Sequence, residues 1–158
     1  MTNEPIHDAG VRFPPPLVYL FGLLAALIIN RARPLWLAAP EPRWMFLLGL
    51  CFMLAGLLFA GSGVATFRRH RTAVVPFHPA SVIVSSGPYR MTRNPMYLGM
   101  AGSYVGCSFV LDTWWAFILF VGVVLIIDRA VIRREERYLT SAFGAEYEAY
   151  RGRVRRWV

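Results

Sequence analysis

The chain is expected to be an all-α polytopic membrane bundle of about four spans, with C-terminal helices packed over a polar site at one membrane face. Three observations predict it. Hydrophobic residues make up 56% of the sequence and charged residues 16%, with mean hydropathy +0.45, whereas soluble domains carry about a quarter charged residues. Long apolar runs recur along the chain, and arginine gathers in alternate connections between them. At 158 residues the length suits one domain, with spans and a connecting segment over 1–84 and a chemistry-bearing half over 85–158.

Met1 to Arg12 is polar, with no basic start before a short apolar core and no small-residue cleavage signal, so it does not read as a cleaved leader. The first span is expected over Leu17–Ile29, after Phe13-Pro14-Pro15-Pro16 and before Asn30-Arg31. Its prolines suit a first helical turn, and its length is short against the ~20 residues of a typical span. A proline-broken connector from Arg33 to Arg43 carries Trp36, and Trp44 follows; both suit a membrane interface. Trp44–Phe67 is the clearest span. Its Gly49, Gly56, Gly61 and Gly63 offer small surfaces on which another helix can settle, though glycine is also common in membrane helices generally.

Arg68-Arg69-His70-Arg71 closes that helix, and Thr72–Ser86, interrupted by Pro76 and Pro79, reads as an extended or re-entrant lid. A third apolar run, Met96–Leu111, contains the small-xxx-small spacing Gly102 to Gly106. Asp112-Thr113 reads as a tight reversal with Thr113 as N-cap. The fourth run, Trp114–Ile127, passes without proline or glycine into a charged stretch, so one long helix is expected to leave the bilayer and stop at Gly144.

All 17 basic residues are arginine. With four spans, Arg12, the arginines of 68–71, Arg90, Arg93 and every arginine from Arg129 onward fall on one side, leaving only Arg31, Arg33 and Arg43 on the other. That asymmetry places the basic side, with both termini, in the cytoplasm. A formal net charge of +8 and a pI near 10.3 would also suit nucleic acid, but beside such apolar segments the expected partner is an anionic lipid leaflet. The tail Arg151–Val158 is expected to lie on those headgroups.

The connection Ser85–Gly99 stands apart. Gly87-Pro88 and Asn94-Pro95 reverse the backbone twice and free N–H and C=O groups from any helix ladder. Arg90 and Arg93 stand beside Tyr89 and Tyr97, and Pro95 suits the first turn of the next helix, whose unpaired N–H groups favour a carboxylate or phosphate. Contact with lipid headgroups accounts for the same residues equally well. On the charged helix, counting at 3.6 residues per turn puts Asp128, Val131, Ile132, Glu135, Tyr138 and Leu139 on one stripe, and lets Glu136 pair with Arg133. Glu135 has no arginine three or four residues away on either side, so it needs a partner from elsewhere if buried: Arg90, Arg93 or a cationic ligand. The alternative is a solvated carboxylate.

Cys51 and Cys107 lie in separate apolar runs, and His7, His70 and His78 share no ligand spacing, so no metal is expected.

Gly87-Pro88-Tyr89-Arg90, Arg93-Asn94-Pro95-Met96-Tyr97-Leu98-Gly99, Glu135-Glu136-Arg137-Tyr138-Leu139, Phe143-Gly144, Glu146-Tyr147, Tyr150 and Val154 together resemble the integral-membrane methyltransferases of the isoprenylcysteine carboxyl methyltransferase and phospholipid methyltransferase superfamily. The resemblance covers roughly Ser85–Arg156. It implies an S-adenosylmethionine site formed by the arginine loop and the double-glutamate helix, with a lipophilic acceptor arriving from the bilayer. Tyr89, Arg90, Asn94, Pro95, Tyr97, Leu98, Gly99, Glu135, Glu136 and Tyr147 become cofactor-site candidates, with Arg93 and Glu135 as catalytic candidates and Arg93 as the residue to orient an anionic acceptor. Asn94 stands where such enzymes carry histidine, and its amide hydrogen-bonds without titrating near neutral pH. An NADPH-dependent membrane reductase of the sterol-reductase type, or a non-catalytic helical scaffold, are the other readings. The acceptor stays open among amines, phenols, thiols and carboxylates. A bacterial inner-membrane location is the expected setting.

Overall fold

A computed structural model of the chain describes residues 10, 11, 13–38, 40, 42–71 and 81–158. Among them six α-helices follow in order: α1 Pro15–Ala32, α2 Arg43–Arg69, α3 Pro95–Val110, α4 Trp114–Ile126, α5 Arg133–Phe143 and α6 Ala145–Arg153. A 3₁₀ turn, Gly87–Arg90, precedes α3, and a π-helical turn, Ile127–Ile132, joins α4 to α5 without interrupting the rod. Among the described residues there is no strand.

Among the described residues, three helices are long and apolar enough to cross a membrane: α1, α2 and the continuous rod from Trp114 to Phe143. The 16-residue α3 is shorter and lies along α2 for its whole length. The four helices alternate in direction, so the start of α1, the end of α2, the start of α3 and the π turn share one end of the bundle. Large apolar side chains such as Phe21, Leu58 and Val121 remain exposed around the rim, as a lipid-facing surface requires. The chain is a multi-pass membrane protein.

The α2–α3 contact is built on glycine, at spacings that differ from the expected ones. A Cβ added at Gly56 would stand 2.5 Å from the Gly99 carbonyl oxygen, and one at Gly106 would stand 2.3 Å from the Met53 backbone nitrogen. Gly49, Gly56 and Gly63 recur at seven-residue intervals on α2, as Gly99 and Gly106 do on α3, so antiparallel backbones meet along one seam. Gly61 touches nothing and Gly102 only grazes Gly56. The four-residue spacing is therefore not the contact motif here. An antiparallel pair crossing at a shallow angle returns to the same face every two turns.

At the opposite end, the α3–α4 reversal holds the α1–α2 connector. Asp112, at φ +46°, accepts from the backbone N–H groups of Leu37 and Ala38 at 3.0 Å. Trp115 Nε1 donates to the Arg33 carbonyl at 2.7 Å. Thr113 caps α4 as expected, its side chain accepting from the Trp115 N–H. Helix α1 runs past Asn30 to Ala32, because the Asn30 side chain is buried and accepts from the Leu35 N–H at 2.8 Å instead of ending the helix. The expected lid lies outside the described residues over 72–80, and residues 81–86 are irregular.

Candidate functional site

The loop and the double-acid helix meet, although they are about forty positions apart. Pro95 sits at the first position of α3, which directs Tyr97 inward toward the rod. There the Tyr97 hydroxyl donates to Glu135 Oε1 at 2.5 Å. Tyr19 of α1 donates to the Tyr97 carbonyl at 3.1 Å and ties a third helix to the same point.

The two glutamates have exchanged the parts read from sequence. Glu135, expected to need an arginine or a ligand, takes a phenol. Glu136, expected to pair with Arg133, is held by Arg93 Nη2 at 3.0 Å and by the fork of Arg156, with Nε at 3.0 Å and Nη2 at 2.5 Å. Arg133 turns instead to Asp128 at 3.0 Å, an i,i+5 pair. The π turn is the physical reason. In an unbroken α-helix of ~100° per residue, Asp128 and Glu135 would lie about 20° apart and Glu136 about 80° away. A π turn accommodates one surplus residue and rotates everything after it back by about 100°. Glu136 then joins the face of Asp128, and Glu135 swings toward α3.

The C-terminal tail completes the cluster, contrary to the expectation that all of it would rest on headgroups. The Arg93 N–H donates to the Arg155 carbonyl at 2.9 Å. Thr92 Oγ1 and Asn94 Nδ2 both donate to the Arg156 carbonyl at 3.0 Å. Arg156 also donates to Asp128 at 3.2 Å, and its charge is reinforced chiefly by the hydrogen bond to Glu136. Arg151, Arg153 and Arg155 stay exposed. Nothing in the sequence separates Arg156 from these neighbours, so its inward turn was not legible there.

Tyr89, Arg93, Asn94, Pro95, Tyr97, Glu135, Glu136 and Tyr147 of the expected set are drawn into one region, with Tyr150 and Asp128 added to it. Tyr89 packs on Phe67, ring centroids 5.0 Å apart, while its carbonyl accepts from the Tyr150 hydroxyl at 2.8 Å. Tyr147 is buried beside Tyr150, and burial pushes its phenol up to about 12. Burial raises the Tyr89 and Tyr150 phenols as well, with the nearby Glu135 carboxylate contributing at Tyr89. Among the described residues, the buried Tyr89 hydroxyl and Arg93 Nε have no hydrogen-bond partner. Buried polar groups are seldom left so.

Three candidates stand differently. Arg90 is exposed. Leu98 is half-buried on α3. Gly99 faces α2, with Ala60 N and Gly56 O each 2.5 Å from an added Cβ, so its role in the fold is helix packing. Arg93 is committed to Glu136 and, at 3.3 Å, to the Arg151 carbonyl. His70 meets the Ser86 hydroxyl at 2.8 Å.

A membrane helix bundle that gathers arginine, tyrosine and paired carboxylates at one end, on a turn-rich loop and a double-acid helix, defines a class of multi-pass membrane protein with a polar site at the membrane face. The chain belongs to the phospholipid methyltransferase family, whose sequence pattern matches residues 44–146. It is also similar to Saccharomyces cerevisiae protein-S-isoprenylcysteine O-methyltransferase, 34% identical over 73 residues, which are 46% of this chain and 30% of that protein. A probable protein-S-isoprenylcysteine O-methyltransferase of Oryza sativa subsp. indica is 27% identical over 134 residues, 84% of this chain and 66% of that protein. The Arabidopsis thaliana protein-S-isoprenylcysteine O-methyltransferase B is 28% identical over 113 residues, 70% of this chain and 57% of that protein. The chain thus spans about a third of the yeast relative and about two thirds or less of the plant ones. No solved structure matches it.

Proposed function

We propose that the chain is an S-adenosylmethionine-dependent methyltransferase acting on a lipophilic or membrane-resident small molecule, with its site at the cytoplasmic face of a bacterial inner membrane. The observation that carries this reading is the meeting of Tyr97 with Glu135 and of Arg93 with Glu136, beside two buried donors without protein partners, Tyr89 Oη and Arg93 Nε.

The residues fit such a cofactor. Unpartnered buried donors suit a carboxylate or ribose oxygens, and Glu135 suits an ammonium or ribose hydroxyls. The aromatic faces of Tyr89 and Tyr147 suit adenine or a cationic sulfur. When bound, the cofactor's sulfonium would supply an activated methyl group for an acceptor lone pair, with the neutral thioether as leaving group. The protein's task is then alignment and exclusion of water. A thiolate or carboxylate acceptor needs no base; an amine must first lose a proton. Methyltransferase relatives and the family match support the methyl-transfer reading.

Calorimetry with S-adenosylmethionine on the detergent-purified chain tests it. Saturable binding that weakens in Glu135→Gln is expected. Failure of the wild type to bind, or unchanged affinity in the variant, overturns the assignment, and preference for NADPH would turn it toward a reductase.

A further inference from the structure

The segment Val154–Trp157 follows the last helix, yet it touches both the loop and the acidic face of the rod. Its carbonyls accept from the Arg93 amide, the Thr92 hydroxyl and the Asn94 side chain. Trp157 packs against the buried core. The Arg156 guanidinium reaches Glu136 through two nitrogens and Asp128 through the third. Glu136 in turn holds the nearly buried Arg93.

We propose that this segment is an intramolecular latch in which Arg156 is a positioning residue, fixing Glu136 and, through it, the side chain of Arg93 at the cofactor site. The proposal rests on the cofactor reading above. Geometry supports a fixing role: Glu136 meets Arg156 through two parallel N–H···O bonds, which restrict the carboxylate plane in a way a point charge does not. Arg93 approaches the same carboxylate from the loop side, sharing Oε1 with Arg156 Nε. A carboxylate held in its plane presents that oxygen in one direction, and the direction sets where Arg93 Nε points. Asp128 then anchors the third nitrogen from the π turn, so the π turn and α5 share a single guanidinium supplied by the tail. The exposed Arg155 beside it makes no such side-chain contact among the described residues.

The test uses the full chain in detergent, with S-adenosylmethionine titrated into wild type, Arg156→Ala, Arg156→Lys, Glu136→Ala and the double variant Arg156→Ala/Glu136→Ala, and with amide hydrogen exchange followed at Arg93. Arg156→Ala is expected to weaken binding about tenfold or more, and lysine is expected not to restore it. The double variant is expected to bind no more weakly than Glu136→Ala alone, because Arg156 acts through that carboxylate. Recovery by lysine, or losses that add in the double variant, would overturn the positioning role. Hydrogen exchange reads the latch without cofactor: faster exchange at the Arg93 amide in Arg156→Ala, with α2 and α3 unchanged, is expected, and unaltered exchange there rules the latch out. If wild type fails to bind S-adenosylmethionine while the exchange result holds, the cofactor reading falls and the latch stands.

Discussion

Tyr97 donates its hydroxyl to Glu135 across 38 positions of sequence, and that bond joins the two halves of the site. Removing it with Tyr97→Phe leaves the glutamate without this donor while preserving ring volume. The expected loss is about 1–3 kcal/mol of stability, the usual result of orphaning a buried polar group. Glu135→Gln keeps an acceptor for the phenol and is expected to lose less. Thermal unfolding of both variants in one detergent checks the order.

The Arg93–Glu136 pair predicts an asymmetry. Its side chains are 9% and 12% exposed. Arg93→Ala leaves Glu136 still held by the Arg156 fork, so the expected loss is about 1 kcal/mol, in the range of a single hydrogen bond. Glu136→Ala strands Arg93 with only a carbonyl acceptor and leaves Arg156 only its bond to Asp128 among its carboxylate partners, approaching the ~3–5 kcal/mol of a broken buried pair. Equal losses in denaturation of the two variants would contradict the arrangement.

Much of this was legible from residue order. The apolar runs gave the bundle because segments so poor in charge have few places to go outside lipid, and Pro95 and Gly144 through their backbones, and Thr113 through its hydroxyl, marked helix ends. Charge segregation brought the loop and the acidic helix to one side. The exchange between Glu135 and Glu136 was hidden because face counting assumes an unbroken α-helix, and no residue in Ile-Asp-Arg-Ala-Val-Ile announces a π turn. The helix seam was legible only in part: every glycine offers a small surface, and only the paired backbone shows that Gly99 is used while Gly61 is not.

That contrast is itself testable. Alanine at Gly99 would drive its Cβ into backbone atoms of α2 at 2.5 Å, and backbone cannot step aside as a flexible side chain can. An overpacking loss of about 1–3 kcal/mol is expected. Gly61→Ala meets open space and is expected to stabilise by about 0.5–1 kcal/mol, as alanine does in a helix interior. Parallel unfolding of the two variants separates packing glycine from incidental glycine.

The π turn predicts the effect of a deletion. Removing Ala130 takes out the surplus residue and lets the rod continue as α-helix with the register beyond it unchanged: Glu136, then seven residues after Asp128, stays about 20° from it, and Glu135 still faces α3. S-adenosylmethionine binding is expected to survive the deletion, as it is in Ala130→Leu, which keeps the count and the turn. Binding lost on the deletion alone would show that the turn itself, and not the phase it sets, shapes the site.

The buried phenols set an alkaline limit. Tyr147 is pushed up to about 12 by burial, and Tyr89 and Tyr150 are raised too, against an ordinary value of about 10. Above pH ~10 the unfolded chain releases these protons while the folded chain keeps them, so the native state binds more protons and stability falls as pH rises. Below pH ~10 both states hold them and the slope vanishes. Each such tyrosine adds up to about 1.4 kcal/mol of loss per pH unit between its unfolded and folded values. Replacing Tyr147 with phenylalanine removes one of these groups. Its stability, followed by denaturation from pH 9 to 12, is expected to decline less steeply than wild type above pH ~10 and with the same slope below it; a wild-type slope across the whole range would mean that Tyr147 ionises alike in the folded and unfolded chain.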